Sequence, residues 1–423
     1  MPLISQLDVL PTTGAAEWEA EAISVGREAG CRAFKSRINE WIESVDWPQR
    51  LADPTEPDGA PYRLHEWRER QFNTALGPIS VRMPEYRKTG RPALFPVPDA
   101  LGMLDSTSPQ LAFHLGSLAA ELSFARVATE VRDLLGVDVS ATTVAKVSAL
   151  AGRHAMEQQL RPEIPSTFER PQRIRVYLDG GRLRTRLKDR PWVEPRLARI
   201  ELVNALGDVH TLTLSRICSA EEFWKLLQPL LVRVGAATCP QLAFFGDGAE
   251  WILYEARRRF PSAVLVLDCY HATEHVHAAA KERWGDSPIG KEWASRVSTA
   301  IQRGQISAVL IELQFADHPA LVALDNYLRP RREFLRYKTF ERDGWPIGSG
   351  PIEGLVKQAL NLRLKRTGAR WCLDSAEQVL ALRCAKIFGT YPAVWRRMIE
   401  AQSAQVPQIF HTLFHPSRTI RAA

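Results

Sequence analysis

The sequence has few of the features that mark secreted proteins, membrane proteins and zinc modules. Its six cysteines are scattered over 423 residues with no C-x-x-C pair, which argues against a zinc module and against a disulfide framework. No apolar stretch reaches the roughly 18 residues that a membrane span needs. The N-terminus also lacks the basic and apolar pattern of a signal peptide. We therefore expect reduced thiols, a cytoplasmic location and no membrane partner.

The chain is apolar enough to fold and carries an excess of positive charge. Hydrophobic residues make up 45% of it, and it contains 12 tryptophans, which excludes a disordered chain and allows two or three cores. The formal net charge of +7 favours a polyanionic partner, although many ordinary soluble proteins have a similar balance. Charge alone therefore does not decide the function.

Helical periodicity and prolines divide the chain into six predicted segments. Apolar residues recur at helical intervals over residues 14–46, and the pattern is then broken by Pro48, Pro54, Pro57 and Pro61. The segments are a helical N-terminal segment with a linker (1–60), a DNA-binding region with a strand pair and two helices (61–168), the first part of an α/β core (169–271), a helical insertion (272–343), the second part of the core (344–390) and a C-terminal tail (391–423).

In the second segment, two helices joined by a glycine-containing turn are predicted. The first helix ends at Gly136, and Ser140 caps the second. This pattern is typical of a helix-turn-helix, with Thr142, Thr143 and Lys146 on the face that would contact DNA. A plain helical hairpin in a bundle explains the pattern equally well.

The third segment alternates strands and helices in the order of a ribonuclease H-like core. A strand at 173–179 is followed by two strands around Gly207-Asp208, which is a strong hairpin signal. Ser219 opens a helix through a capping box, and buried strands at 242–245 and 263–267 enclose another helix. We predict an α/β fold: a mixed five-stranded sheet with flanking helices, interrupted by the all-α insertion and preceded by a largely helical region with the helix-turn-helix.

Three carboxylates stand in glycine-marked settings at the ends of predicted elements. They are Asp179 in Leu-Asp-Gly-Gly, Asp247 in Gly-Asp-Gly-Ala and Glu353 in Pro-Ile-Glu-Gly. Carboxylate oxygens are ligands that Mg²⁺ and Mn²⁺ prefer. Taken singly, an Asp beside a Gly is usually a turn former, and Glu353 could simply complement a helix dipole. Their occurrence together, at consistent strand and helix ends, indicates a metal site.

The predicted helix that carries Glu353 also carries a basic run. Lys357 shares a helix face with Glu353 because the two are spaced i, i+4. The run continues with Arg363, Lys365, Arg366 and Arg370. Such a run is usually a solvated helix face, but its position just after an acid of the metal site favours contacts to DNA phosphates. Upstream, Trp345 either stacks on a DNA base or anchors the core.

Four motifs, in order along the chain, resemble those of the DDE transposases of bacterial insertion sequences. They are Leu-Asp179-Gly-Gly, Gly-Asp247-Gly-Ala-Glu-Trp-Ile, Asp268-Cys-Tyr-His271 and Gly348-Ser-Gly-Pro-Ile-Glu353-Gly. The chain is most similar to the ISKra-type group, relatives of the Mutator-like superfamily, over roughly residues 113–388. The spacing is compatible with that family, since 67 residues separate the two aspartates and 105 separate Asp247 from Glu353.

The resemblance implies a metal-dependent enzyme that cuts and joins DNA. Asp179, Asp247 and Glu353 would be the triad that holds two Mg²⁺ or Mn²⁺ ions, with Asp268 and His271 as accessory residues. The implied partners are double-stranded DNA, both as terminal inverted repeats and as target, and at least one further copy of the chain, because two element ends must be joined. The expected place of action is the bacterial nucleoid.

Two alternatives remain open from the sequence. Members of the group often carry a cysteine-based knuckle ahead of the helix-turn-helix, whereas this chain has Tyr86-Arg-Lys-Thr-Gly-Arg91 there. That departure mildly favours a catalytically silent DNA-binding protein derived from a transposase, while the intact triad favours an active enzyme. A ribonuclease H-like nuclease or junction resolvase shares the chemistry, but it fits the helical insertion and the N-terminal region less well.

Overall fold

The computed structural model describes residues 14–47, 62–104 and 106–405, which form two compact units. One unit holds the described residues up to Ala151 together with those from Pro392 onward, and the other is Gly152–Tyr391. Two predicted features lie partly or wholly outside the described residues. Of the predicted tail at 391–423, the residues up to Gln405 are described as a helix and the rest lie outside; the linker prolines Pro48, Pro54, Pro57 and Pro61 lie wholly outside.

The helices of the described residues occur in both units. In chain order they are α1 (Ala15–Glu43), α2 (Pro96–Ala100), α3 (Pro109–Ala119), α4 (Phe124–Leu135), α5 (Ala141–Leu160), α6 (Ala220–Arg233), α7 (Glu250–Arg259), α8 (Cys269–Trp284), α9 (Pro288–Gln302), α10 (Ile306–Gln314), α11 (Pro319–Leu328), α12 (Tyr337–Arg342), α13 (Gly350–Leu355), α14 (Leu362–Leu364), α15 (Leu373–Ile387) and α16 (Tyr391–Gln405). Ser166–Phe168 and Arg329–Leu335 are 3₁₀ segments, and Val356–Asn361 is π-helical. Within the described part of the chain, no helix has the length and apolar character needed to cross a membrane.

In the part of the chain that the structure describes, the strands belong to three sheets. They are β1 (Arg63–Thr74), β2 (Gly77–Arg87), β3 (Arg173–Gly180), β4 (Leu183–Arg184), β5 (Trp192–Val193), β6 (Arg196–Val203), β7 (Val209–Arg216), β8 (Gln241–Gly246) and β9 (Val264–Leu267). β1 pairs with β2, β4 pairs with β5, and the other five strands form one sheet.

In the first unit, a long antiparallel ribbon packs on helix α1. β1 and β2 pair down to Thr74 opposite Gly77, so the predicted strand pair is confirmed. Gly77 turns the chain with a φ of +140°, which glycine adopts without steric cost. Apolar side chains of the ribbon and of α1, including Ile42, Phe72 and Met83, belong to one buried cluster.

The first unit also contains α4 and the start of α5. Gly136 ends α4 in the left-handed conformation, and Ser140 Oγ accepts a hydrogen bond from Thr143 N at 3.0 Å to begin α5. Both predicted caps are therefore present, and each satisfies backbone groups that a helix end leaves unpaired. Thr142 and Lys146 are exposed, whereas Thr143 is half-buried.

The second unit is built on a mixed five-stranded sheet in the order β7-β6-β3-β8-β9. β7, β6 and β3 form an antiparallel meander, and β8 and β9 continue parallel to β3. The tight turn at Gly207, whose φ is +87°, joins β6 to β7. The parallel pairs need crossover connections, which α6 and α7 supply. The predicted α/β class and mixed five-stranded sheet are thus confirmed.

Helices flank this sheet and contact particular strands. α7 packs on β8 and β9, α13 packs on β3 and β6, and α15 packs on β7. α6 opens with the predicted capping box, in which Ser219 and Glu222 exchange side-chain to backbone hydrogen bonds. α7 and α13 therefore lie beside the strands whose ends carry the predicted acidic residues.

Between β9 and α13, the described chain contains helices with their connecting turns, as predicted for residues 272–343. α8 begins at Cys269, slightly before the predicted boundary. The reason is local: Asp268 Oδ1 accepts a hydrogen bond from His271 N at 2.7 Å and so caps the helix directly after β9.

Candidate active site

Asp179 lies near the end of β3, and Asp247 directly follows the neighbouring parallel strand β8. β3 and β8 pair in register up to Tyr177 opposite Phe245, and each aspartate follows two residues later. Because side chains alternate between sheet faces, the aspartates share the face of Tyr177 and Phe245. Those two rings stack with centroids 4.6 Å apart, and neighbouring strands lie about 4.8 Å apart. The pairing therefore brings the two carboxylates side by side.

Glu353 approaches the same place from the first turn of α13. Burial is the main reason that the pKa of Asp179 is raised to about 6; the negative charges of Asp247 and Glu353 add to the rise, while the Gly180 N–H and His271 oppose it. Charges act on a pKa in this way only when they lie close to the group that titrates. The structure thus brings the three predicted acids together.

Short-range hydrogen bonds orient the three carboxylates. These bonds are Gly180 N to Asp179 Oδ1 at 2.6 Å, Ala249 N to Asp247 Oδ1 at 2.9 Å and Ser349 Oγ to Glu353 Oε1 at 2.9 Å. Each donor lies within four residues of its acceptor, so the glycine-rich turn or helix start that carries an acid also sets its direction.

The three side chains suit a hard divalent cation. Positive charge would offset the burial and the acidic neighbours that raise the pKa of Asp179, and carboxylate oxygens are ligands that Mg²⁺ and Mn²⁺ prefer. Across residues 14–47, 62–104 and 106–405, no group of three or more His, Cys, Asp or Glu side chains is already arranged to hold an ion. Glu353 is exposed, so its carboxylate is accessible to a cation that approaches the two aspartates.

Asp268 connects the sheet edge to the helix that carries Glu353. It is 2% exposed and directly follows β9, which pairs with β8 so that Leu267 lies opposite Gly246. Its Oδ1 caps α8, and its Oδ2 accepts a hydrogen bond from Ser349 N. Ser349 in turn donates its hydroxyl to Glu353. Asp268 is therefore a positioning residue for Glu353.

Replacing Asp268 with asparagine is expected to lower the free energy of unfolding by about 1–3 kcal/mol. The carboxylate serves two backbone N–H donors with two oxygens, whereas a carboxamide has one acceptor oxygen and must turn its NH₂ group toward the other donor. Urea unfolding of Asp268→Asn and wild type measures the loss. Ser287→Ala is the matched control, because it removes only the cap of α9 and should cost about 1 kcal/mol. An Asp268→Asn variant as stable as wild type would contradict the two-donor arrangement.

Two residues of the helical stretch hold the backbone of the Asp247 turn. Tyr327 Oη donates to the Asp247 carbonyl at 3.0 Å, and Arg331 Nε donates to the Gly248 carbonyl at 3.1 Å. The Arg331 guanidinium also lies 4.5 Å from the centre of the Tyr327 ring. The sequence patterns give no sign of these contacts, since Tyr327 and Asp247 are 80 residues apart.

His271, predicted as an accessory residue, lies beside the carboxylates near the start of α8. Its positive form acts to lower the pKa of Asp179, and its ring meets that of His275 edge-on at 4.9 Å. His275 stacks on Tyr327 with centroids 3.9 Å apart. Burial, followed by the charge of His271, lowers the pKa of His275. The two histidines therefore form part of a ring stack that reaches the Asp247 turn.

Of the predicted DNA-contacting residues after Glu353, Arg363 is buried and the others are exposed. Lys365 lies beside Asp179: partial burial lowers the pKa of Lys365, and the Asp179 charge opposes that shift. Arg363 is only 3% exposed, its guanidinium lies 5.1 Å from the centre of the Trp371 ring, and burial lowers its pKa to about 10. Arg363 therefore packs within the protein. The exposed members of the run are Lys357, Lys365, Arg366 and Arg370.

Trp345 is packed in the core of the second unit. It is 6% exposed, the Arg173 guanidinium lies 4.4 Å from its ring centre, and the Phe245 ring lies 6.4 Å away. A DNA base could reach this face only by displacing Arg173. Of the two roles predicted for Trp345, the core anchor is the one that its packing fits.

A cavity of about 580 Å³ adjoins the two aspartates. Asp179 and Asp247 form part of its wall, and the small hairpin of β4 and β5 contributes Arg182, Arg190 and Trp192. The hairpin is a part of the site that the sequence motifs do not reveal, because its strands are two residues each. The cavity places a basic and aromatic surface next to the carboxylates.

No protein-family model matches the chain, and a search of curated proteins gives no match. The functional argument therefore starts from the geometry of Asp179, Asp247 and Glu353.

Proposed function

We propose that the protein is a DDE-type DNA transposase that cleaves DNA strands at the ends of an insertion sequence and transfers them into target DNA. The observation that carries the proposal is the meeting of Asp179, Asp247 and Glu353 at one sheet edge, where burial and the two acidic neighbours raise the pKa of Asp179. Groups perturbed in this way concentrate at functional sites. The motifs around the three acids support the same function.

The strand order supports a ribonuclease H-like core as part of the proposal. The sheet runs β7-β6-β3-β8-β9, with Asp179 on the central strand and Asp247 after its parallel neighbour. Glu353 follows on a helix beyond the helical stretch. This placement of three acids on two strand ends and a later helix is what the family resemblance leads us to expect.

In this proposal each residue of the site has a defined task. Asp179, Asp247 and Glu353 would hold two Mg²⁺ or Mn²⁺ ions, whose charge, when they are bound, stabilises both the attacking and the leaving oxygen of a phosphoryl transfer. Asp268 and Tyr327 keep Glu353 and the Asp247 turn in place through the hydrogen bonds described above.

Water attack would first release a 3′-hydroxyl at the element end, and that hydroxyl would then attack target DNA in the same site. The Lys365 ammonium, beside Asp179, is placed to contact a phosphate oxygen. No covalent intermediate between protein and DNA is needed in this scheme.

DNA binding is assigned to two surfaces, one in each unit. In the first unit, α4 and α5 would act as a helix-turn-helix, with the exposed Thr142 and Lys146 facing the major groove and Thr143 securing the cap of α5. In the second unit, the exposed residues after Glu353 would contact phosphates. These are Lys357, Lys365, Arg366 and Arg370. At least two copies of the chain would assemble on paired element ends at the nucleoid.

The proposal is tested with purified protein, Mg²⁺ and labelled DNA that carries the inverted repeats flanking its gene. We expect nicks at the element boundary that leave 3′-hydroxyl ends, followed by joining of those ends to a second DNA. Scrambled DNA of the same length and an RNA–DNA hybrid are the comparison substrates, and EDTA is the control for metal dependence.

The comparison substrates separate the competing functions. Degradation of the hybrid without cleavage at element ends would replace the transposase with a ribonuclease H-like nuclease. Specific binding to the ends with no cleavage in Mg²⁺ or Mn²⁺ would replace it with a silent DNA-binding protein. Light scattering of complexes with paired ends should show more than one protein copy, and a one-to-one complex would contradict the assembly.

A further inference from the structure

The small hairpin beside the carboxylates carries a concentration of positive charge. It lies between β3 and β6 and spans residues 182–194. Its charged residues are mostly basic: Arg182, Arg184, Arg186, Lys188 and Arg190, against Asp189 and Glu194. A basic surface next to three acids has a physical use, because the acids alone would repel any polyanion that approached them.

The hairpin is fixed in place from both sides. Within it, Thr185 is buried and its hydroxyl donates to the Arg190 carbonyl at 2.6 Å. Toward the segment that follows Glu353, Trp371 N donates to the Arg184 carbonyl at 3.2 Å, and Arg186 N donates to the Trp371 carbonyl at 2.9 Å. The hairpin is thus joined by backbone hydrogen bonds to the part of the chain that also carries Lys365, and its side chains are presented on a supported surface.

Trp192 is an exposed aromatic side chain on this supported surface. It is 51% exposed although it lies in a paired strand opposite Arg184. The Arg182 guanidinium lies 5.7 Å from its ring centre, close enough for a cation–π contact. Trp192, Arg182 and Arg190 line the cavity of about 580 Å³ together with Asp179 and Asp247. An indole that leaves half its surface in solvent beside two arginines can stack on a base.

We infer that Trp192, Arg182 and Arg190 form a binding site for one unstacked nucleotide of the DNA strand whose phosphate lies at Asp179 and Asp247. The indole stacks on the base, and the two guanidiniums contact the adjoining phosphates. The inference rests on the proposed function, which supplies the DNA strand. The lining supports this assignment, because an exposed aromatic ring and two guanidiniums beside the carboxylates suit the face of an unstacked base and its phosphates.

The test uses short single-stranded DNA that contains one 2-aminopurine, a fluorescent base whose emission falls when it stacks on an aromatic ring. Binding is measured in Ca²⁺, which neutralises the carboxylates that would otherwise repel the strand, with wild type, Trp192→Ala and Trp192→Phe. Phe315→Ala is the matched control, because Phe315 is also an exposed aromatic of the second unit, at 80%. Thermal unfolding of each variant checks that its fold is intact.

Trp192→Ala is expected to lose the quenching and to bind about 5- to 150-fold more weakly, the change that corresponds to one lost base stack of about 1–3 kcal/mol. Trp192→Phe should retain most of both signals because phenylalanine keeps a stacking face. Phe315→Ala should behave as wild type. Equal quenching and affinity in wild type and Trp192→Ala would overturn the inference, and so would an equal loss in Phe315→Ala.

The outcomes distinguish this inference from the proposed function. If wild type cuts element ends while Trp192→Ala binds and quenches as wild type does, the nucleotide site is wrong and the transposase stands. If the quenching depends on Trp192 but wild type cuts no DNA with any divalent ion, the nucleotide site stands and the transposase is wrong.

Discussion

Asp179→Asn, Asp247→Asn and Glu353→Gln are each expected to slow DNA cleavage by at least about 10³-fold while leaving DNA binding nearly unchanged, since several kcal/mol of stabilisation at the reacting phosphate depends on the bound cations. Each substitution keeps the size of the side chain and removes its negative charge. Cleavage is measured by the rate of nicking at saturating protein, and binding is measured in Ca²⁺ by mobility shift.

Glu250→Gln is the matched control for these variants. Glu250 is an exposed carboxylate in the first turn of α7, three residues after Asp247, and its substitution removes the same charge without touching the triad. It should cut DNA at the wild-type rate. Cleavage by any of the three triad variants at a rate close to that of Glu250→Gln would show that the corresponding acid is not part of the active site.

In EDTA near neutral pH, the inactive Asp179→Asn variant is expected to be more stable than wild type by up to about 3 kcal/mol. Burial, with the charges of Asp247 and Glu353, raises the pKa of Asp179 from 3.8 to about 6. Ionisation of Asp179 therefore lowers the free energy of unfolding. Asparagine occupies nearly the same space without the charge, and its oxygen can still accept from Gly180 N. Urea unfolding at several pH values measures the difference.

The pH dependence has a definite sign. Because the folded-state pKa of Asp179 lies above its unfolded value, the folded protein binds more protons between pH 3.8 and about 6, and wild-type stability falls as the pH rises through that window. The advantage of Asp179→Asn should therefore grow across the window and level off above it. Mg²⁺ should stabilise wild type and leave the variant unchanged. A stability difference that is the same at every pH would contradict this account.

Local sequence patterns were sufficient to predict the elements that carry two of the three acids. The strands predicted at 173–179 and 242–245 are β3, Arg173–Gly180, and β8, Gln241–Gly246, which leads into Asp247. The hairpin turns at Gly207 as expected. The capping box at Ser219 is present. Each of these features depends on residues within a few positions of one another, so hydrophobic alternation, a turn glycine or a capping hydroxyl specifies it.

Contacts between distant segments could not be predicted in this way. Asp268 and Ser349 are 81 residues apart, and Tyr327 and Asp247 are 80 apart. Both contacts depend on how the helical stretch between β9 and α13 folds back onto the sheet edge, which no local pattern encodes. The π-helical segment Val356–Asn361 is likewise invisible in the sequence, although such segments often occur at functional sites.

Whether a given side chain is buried or exposed could not be predicted from the sequence either. Arg363 belongs to a basic run that reads as a solvated face, yet it is packed on Trp371. The ring of Trp345 is covered by the Arg173 guanidinium. Trp192, which lies in none of the sequence motifs, is half exposed at the cavity. A tryptophan or an arginine can serve a core or a surface equally well, so only the packing separates the two.

The central claim is that Asp179, Asp247 and Glu353 hold divalent cations together. The most direct measurement is diffraction from crystals soaked in Mn²⁺, with data collected at the manganese absorption edge and the same soak repeated on Asp179→Asn. The account predicts anomalous density between Asp179 and Asp247 with the Glu353 side chain rotated toward it, and no such density in the variant. Wild-type crystals with Mn²⁺ bound elsewhere, or with the three carboxylates left without an ion at saturating Mn²⁺, would contradict it.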